Sequence, residues 1–317
     1  MKFLSPKAIM PEMFGAGTSI PAVDADAGEL AWASGADCAQ GDRRVRGNYT
    51  YECIKAVAGA PANTYAPDTA QGGEFWFKDE LAPTNRWAPF DQYMTTTAKA
   101  LGQIKYVITP GFVNGVAIHN IQADSLTVEF TDGEGGPPLA PPVPADMWQQ
   151  AYGLWEYLFG ELRLSGKANL KDVPLHPNLC ITITASRTLP TVEVSIGYIK
   201  VGTWKQLFLP NTEIGATVTG ASAEPKSYSY FKQADDGTYT IRRGRQAVDI
   251  SLNCVVAEAE ANRALDILKT VLDVPVPIEA SELAQFAWLS TVGLVTGRVV
   301  ASDKGIAEVE IKVKGNV

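Results

Sequence analysis

The chain has little of what chemistry usually needs. It holds two histidines and four cysteines among 317 residues, and no lysine or arginine between Tyr106 and Leu162. Histidine is the commonest general base and a frequent metal ligand, yet His119 and His176 stand outside any spaced motif. A nucleophile elbow, a glycine-rich phosphate loop after a strand and paired C-x-x-C spacing are also missing. The sequence therefore predicts no enzyme, no cofactor and no metal centre, and His119, inside an apolar run beside Asn120, reads as a hydrogen-bonded structural residue. Cys38, Cys53, Cys180 and Cys254 lie far apart, two of them within strand-like alternations, which points to buried free thiols rather than disulfides. No run reaches the ~18 apolar residues needed to span a bilayer. Pro6 and Pro11 interrupt the first fourteen residues before an apolar leader segment can form. Neither membrane insertion nor secretion is expected; assembly in a cytoplasm is.

The formal charge is −8, which argues against a phosphate-binding surface and hence against nucleic acid. Its distribution is uneven. The cation-free stretch carries Asp124, Glu129, Asp132, Glu134, Asp146, Glu156 and Glu161. Asp132 and Glu134, flanked by glycine, read as a solvated turn rather than a calcium loop. By contrast, Lys226 to Arg245 holds Lys226, Lys232, Arg242, Arg243 and Arg245 against Asp235 and Asp236. A basic hairpin on an acidic chain is a docking surface for an acidic neighbour, so Lys232, Arg242, Arg243 and Arg245 are candidate interface residues.

Period-2 alternation dominates the pattern. Ile104, Tyr106 and Ile108 alternate, as do Leu126, Val128 and Phe130; Leu179, Ile181 and Ile183; Val192, Val194 and Ile196; and Val248 through Val256. Gly202 reads as a turn, and Gly133 to Pro144 as a Pro/Gly-rich loop closed to ladder strands. Met147 to Leu162 fits helix and strand alike. Ala257 to Asp273 changes period and predicts a helix with Ala261, Leu265, Leu268 and Leu272 on its buried face. The expected architecture is mainly β. An arm or short-stranded region (1–48) precedes a jelly-roll β-sandwich (49–210) and a smaller α+β domain (211–317) that serves assembly.

Aromatic residues gather between Phe75 and Tyr93, interleaved with planar polar groups. Trp76, Asn85, Arg86, Trp87, Asp91 and Tyr93 are the candidate carbohydrate-binding set, because a pyranose presents one apolar face and a rim of hydroxyls. Trp87 is better suited to anchoring a sandwich core than to meeting a sugar, Trp76 less so. A pair of catalytic carboxylates, as in a glycoside hydrolase, has no fixed sequence spacing.

Tyr51-Glu52-Cys53-Ile54-Lys55-Ala56, Phe75-Trp76-Phe77 and Pro83-Thr84-Asn85-Arg86-Trp87-Ala88-Pro89-Phe90-Asp91 resemble a segment recurrent in virion structural proteins of tailed bacteriophages, where it opens a jelly-roll module. Gly111 to Val128 and Thr191 to Trp204 look like further strands of a galactose-binding-like (discoidin-like) sandwich. The resemblance implies a non-enzymatic component of a tail tip or baseplate. Its partners would be other tail proteins and copies of itself, and it would contact a host-surface glycan if the sandwich kept a lectin site. The rival expectations are a carbohydrate-binding adhesin and a glycoside hydrolase.

Overall fold

The computed structural model describes residues 1–147, 153–160, 166–207, 216–233, 238–281, 284–301 and 305–316. In chain order its first twelve strands are β1 (Lys2–Pro6), β2 (Arg43–Arg46), β3 (Tyr49–Cys53), β4 (Trp76–Pro83), β5 (Ala98–Leu101), β6 (Gln103–Ile108), β7 (Gly115–Gln122), β8 (Ser125–Asp132), β9 (Pro138–Asp146), β10 (Lys167–Lys171), β11 (Leu179–Ser186) and β12 (Glu193–Gln206). A short helix α1 (Leu154–Phe159) lies between β9 and β10. The remainder comprises β13 (Ala216–Ser227), β14 (Tyr230–Gln233), β15 (Tyr239–Arg242), β16 (Gln246–Ala257), helix α2 (Ala261–Thr270), β17 (Val276–Glu279), β18 (Ser290–Ala301) and β19 (Ile306–Gly315).

The protein is mainly β. Strands β5-β12-β7-β10 form one sheet and β6-β11-β8-β9 the other. That alternation, with all pairs antiparallel, is the strand order of an eight-stranded jelly roll. The inward residues of each alternation meet between the sheets: Ile104, Tyr106, Ile108, Val116, Ile118, Leu126, Val128, Ile181, Ile183, Ile199 and Val201 belong to one buried cluster.

The first sheet does not stop at the jelly roll. Strand β1 pairs with β12 on one side (Lys2 opposite Gln206) and with β17 on the other (Lys2 opposite Glu279). From there the ladder runs β17-β18-β19-β16-β13. Helix α2 covers this second half, whose core includes Phe3, Leu252, Ile267, Leu268, Val309 and Ile311. A smaller sheet, β2-β3-β4, encloses a third core of Cys38, Tyr51, Cys53, Val57 and Trp76. The turn joining β2 to β3 straddles residue 48, where the sequence suggests a division. All four cysteines are free and buried.

Within 1–48, expected as an arm or short-stranded region, residues 2–6 form an internal strand in which Phe3 and Leu4 are fully buried, and Arg43–Arg46 form another short strand. Three expectations are corrected. The proline-rich stretch does make a strand, β9, because it lies at a sheet edge where one side needs no donors, and its register slips twice beside Phe130. Gly202 is not a turn but the crossing point of β1 and β12, where a Cβ would sit 2.1 Å from the Ser5 carbonyl oxygen. In α2 the buried residues are Ala264, Ile267 and Leu268, followed by Val271, whereas Leu265 and Leu272 are exposed. The helix begins at Ala261 and ends at Thr270, so Leu272 falls beyond its last turn.

Candidate functional site

The aromatic-polar segment splits between two places. Trp76 is 4% exposed inside the N-terminal module, with Cys53 and Tyr51, and has no face for a ligand. The remaining candidates lie between β4 and β5, against the jelly roll. Asn85 is also buried, and its polar atoms are spent within the chain: Nδ2 donates to Asp24 Oδ2 (2.6 Å) and Lys99 O (2.9 Å), and Oδ1 accepts from Lys99 N (2.8 Å). Its backbone N–H donates to Glu29 Oε1 (2.6 Å). The Arg86 guanidinium carbon lies 4.7 Å from the Phe14 ring centre, and burial lowers the pKa of the group. Its carbonyl accepts the Tyr106 hydroxyl at 3.1 Å.

Trp87 is half-buried, edge-on to Phe14 at 5.0 Å. Phe90 continues the cluster to Tyr106 at 5.3 Å. Asp91 accepts from Tyr93 N (2.7 Å) and Thr96 Oγ1 (2.6 Å). Burial raises the Asp91 pKa; those two bonds and the charges of Lys200 and Arg245 pull the other way. Tyr93 is half-buried at the same turn. Asn85 through Tyr93 thus form a clasp that ties the N-terminal loops to the sandwich.

The clasp borders a polar seam on the face of β7, β10 and β12 that looks away from the jelly-roll core. Lys200 donates to Phe90 O at 2.5 Å, and burial brings its pKa down to about 8. The Tyr198 hydroxyl donates to Pro275 O (3.1 Å), and the His119 ring stands edge-on to Tyr198 at 6.1 Å. His119 Nε2 is 2.9 Å from Asn169 Oδ1, and burial pushes its pKa down to about 4. A neutral, hydrogen-bonded ring is the structural role the sequence suggests. Lys171 pairs with Glu279 at 2.8 Å, Lys167 Nζ donates to Ser290 O (3.4 Å), and Trp204 Nε1 donates to Leu170 O (2.9 Å) with its indole over Gly115. The two lysine contacts join the jelly roll to β17 and β18. A cleft of about 380 Å³ opens beside them, lined by Met94, His119, Asn120, Lys167, Ser290 and Thr291.

Glu134 is an exposed residue of the β8–β9 turn, and its carboxylate accepts from Ala16 N (3.0 Å) and Gly17 N (2.6 Å), closing the N-terminal loop on that turn. Among the interface candidates, Lys232, Arg242 and Arg243 are exposed on or beside the β14–β15 hairpin. Arg245, also exposed, lies close enough to Asp91 for its charge to act on that carboxylate. Lys226 forms an ion pair with Asp249. The turn at Asp235-Asp236 lies outside the described residues.

Sequence reasoning missed the most exposed apolar groups. In α1, Leu154 (74%), Trp155 (76%), Tyr157 (76%), Leu158 (57%) and Phe159 (67%) all face outward. The signal available was an aromatic run closed at each end by Gly153 and Gly160. No protein-family model, curated protein or solved structure matches the chain.

Proposed function

We propose that the chain is a non-enzymatic structural component of a tailed-bacteriophage virion, placed at the tail tip or baseplate, where it contacts other tail proteins and copies of itself. One observation carries this reading. Asn85, Tyr198 and Lys171 spend their polar groups on contacts within the chain, while large aromatic and aliphatic side chains stand exposed in two groups, on α1 and on the β14–β15 hairpin. Such a distribution suits a part that holds neighbours. The jelly roll supports the same conclusion, as a rigid block whose edges and loops are free to carry contacts.

The test is composition of the particle. Mass spectrometry of purified virions of a phage encoding this chain should find it in fixed ratio to the other tail proteins, and antibody labelling should mark one end of the tail. A chain absent from particles overturns the proposal. Glycan-array binding by the purified chain, or turnover of a host polysaccharide abolished by one carboxylate substitution, would replace it with the adhesin or the hydrolase.

A further inference from the structure

Two elements of this chain lack the support that elements of their kind require. Helix α1 is six residues long, and a helix shorter than about 12 residues is marginal in water without packing. Five of its six residues are large and apolar, a composition that belongs to buried helices. Yet Leu154, Trp155, Tyr157, Leu158 and Phe159 are all exposed. The β14–β15 hairpin prolongs the β13–β16 ladder beyond Ser227 and Gln246, no third strand among the described residues pairs with it, and every residue of both strands is exposed, including Tyr230, Phe231, Tyr239 and Ile241. Two strands without a third are marginal as well.

Because both surfaces are exposed in the same molecule, neither covers the other within one chain. Their charges are opposite. The segment from Asp146 to Leu162 contains Asp146, Glu156 and Glu161 and no lysine or arginine. The hairpin segment, Lys226 to Arg245, carries five cations, with Lys232, Arg242 and Arg243 beside its aromatic residues, against Asp235 and Asp236. Aromatic residues and arginine are the types enriched at protein interfaces.

We infer that α1 of one copy docks on the β14–β15 hairpin of a second copy of this chain. Each copy offers one helix and one hairpin: reciprocated within one pair the contact gives a two-fold dimer, and unreciprocated it is heterologous, so that successive copies form a ring if the rotation closes. The inference names the self-contact within the structural role proposed above and rests on that reading. Its test uses only purified chain, so it fails or succeeds independently of whether the chain is found in particles.

Two variants separate the surfaces. Trp155→Ser with Phe159→Ser disables the helix; Lys232→Glu with Arg242→Glu and Arg243→Glu disables the hairpin. Arg245 stays, because its charge acts on Asp91. Sedimentation equilibrium should show the native chain associating with rising concentration and each variant weakened at least about tenfold, as loss of a hot-spot anchor or a reversed charge cluster produces. Mixing the two variants leaves one intact helix facing one intact hairpin, and the mixture should form one-to-one dimers that go no further. A photo-crosslinker placed at position 155 of the otherwise native chain should link to peptides from 226–245 of another molecule, which keeps the test open if a variant misfolds. Three results overturn the inference: a native chain that stays monomeric at about 100 μM (four decades above a tight interface), cross-links that map elsewhere, or variants that associate like the parent. Insertion of Trp155 into phosphatidylglycerol vesicles without self-association would assign the helix to a lipid surface and likewise overturn it.

Discussion

Strands β7 and β12 are largely buried on both faces, with β10 half-buried beside them, and the two faces are held in different ways. Ile118, Val116, Ile199 and Val201 on one side meet the opposite sheet of the jelly roll through apolar contact alone. Tyr198, Lys200, Asn169 and Lys171 on the other side meet the clasp and the C-terminal half through directed bonds, and His119 bonds to Asn169 beside them. The apolar face specifies little beyond volume and alternation. The polar face fixes which element lies where, because each donor there has one acceptor to reach.

The comparison breaks most visibly on the apolar side. Ile199→Ala should lower stability by about 2–5 kcal/mol, with a cost that does not change between pH 4 and 8; denaturant unfolding at several pH values checks both statements. On the polar face the largest effect is pH-dependent. The unfolded chain protonates His119 near 6.5, whereas burial holds the folded value at about 4. Stability contributed by the neutral ring is therefore complete above pH 6.5 and lost as pH falls toward 4, by about 3 kcal/mol in total. His119→Asn should flatten that part of the stability profile while Ile199→Ala leaves it in place. Trp87→Ala, removing a half-buried indole from the clasp, should cost about 2 kcal/mol and leave the jelly-roll amides protected in hydrogen exchange. Tyr198→Phe removes only the bond to Pro275 O and should cost about 1 kcal/mol, read from the shift of the denaturation midpoint.

The faces also differ in how well the sequence announces them. Alternation located β6, β8, β11, β12 and β16, and the period change located α2, because burial of one face writes itself directly into residue order. β1 was hidden because five residues with Pro6 at the end cannot show a period, and β9 because proline forbids an internal strand but not an edge strand. The candidate site was legible as a cluster of residue types and not as a geometry. Trp76 and Trp87, eleven positions apart, belong to different cores, and Trp76 rather than Trp87 is the more buried. Nothing in the spacing tells that Asn85 meets Asp24 or that Tyr198 meets Pro275, since such partners are fixed only once distant strands have been brought into register.

Strand β1 has a consequence for how the chain can be made and divided. Its partners, β12 and β17, lie about two hundred and more residues later, so the joint between the two halves is among the most non-local contacts in the protein. Closing so large a loop is slow, and until it closes both halves present a bare ladder edge of unpaired amides and carbonyls. A fragment ending after β12 would expose the outer edge of β1, and one beginning at β13 would expose β17. Either piece, expressed alone, should precipitate or pair with itself, and adding a free peptide of residues 1–7 to the second piece should restore its solubility by supplying the missing strand.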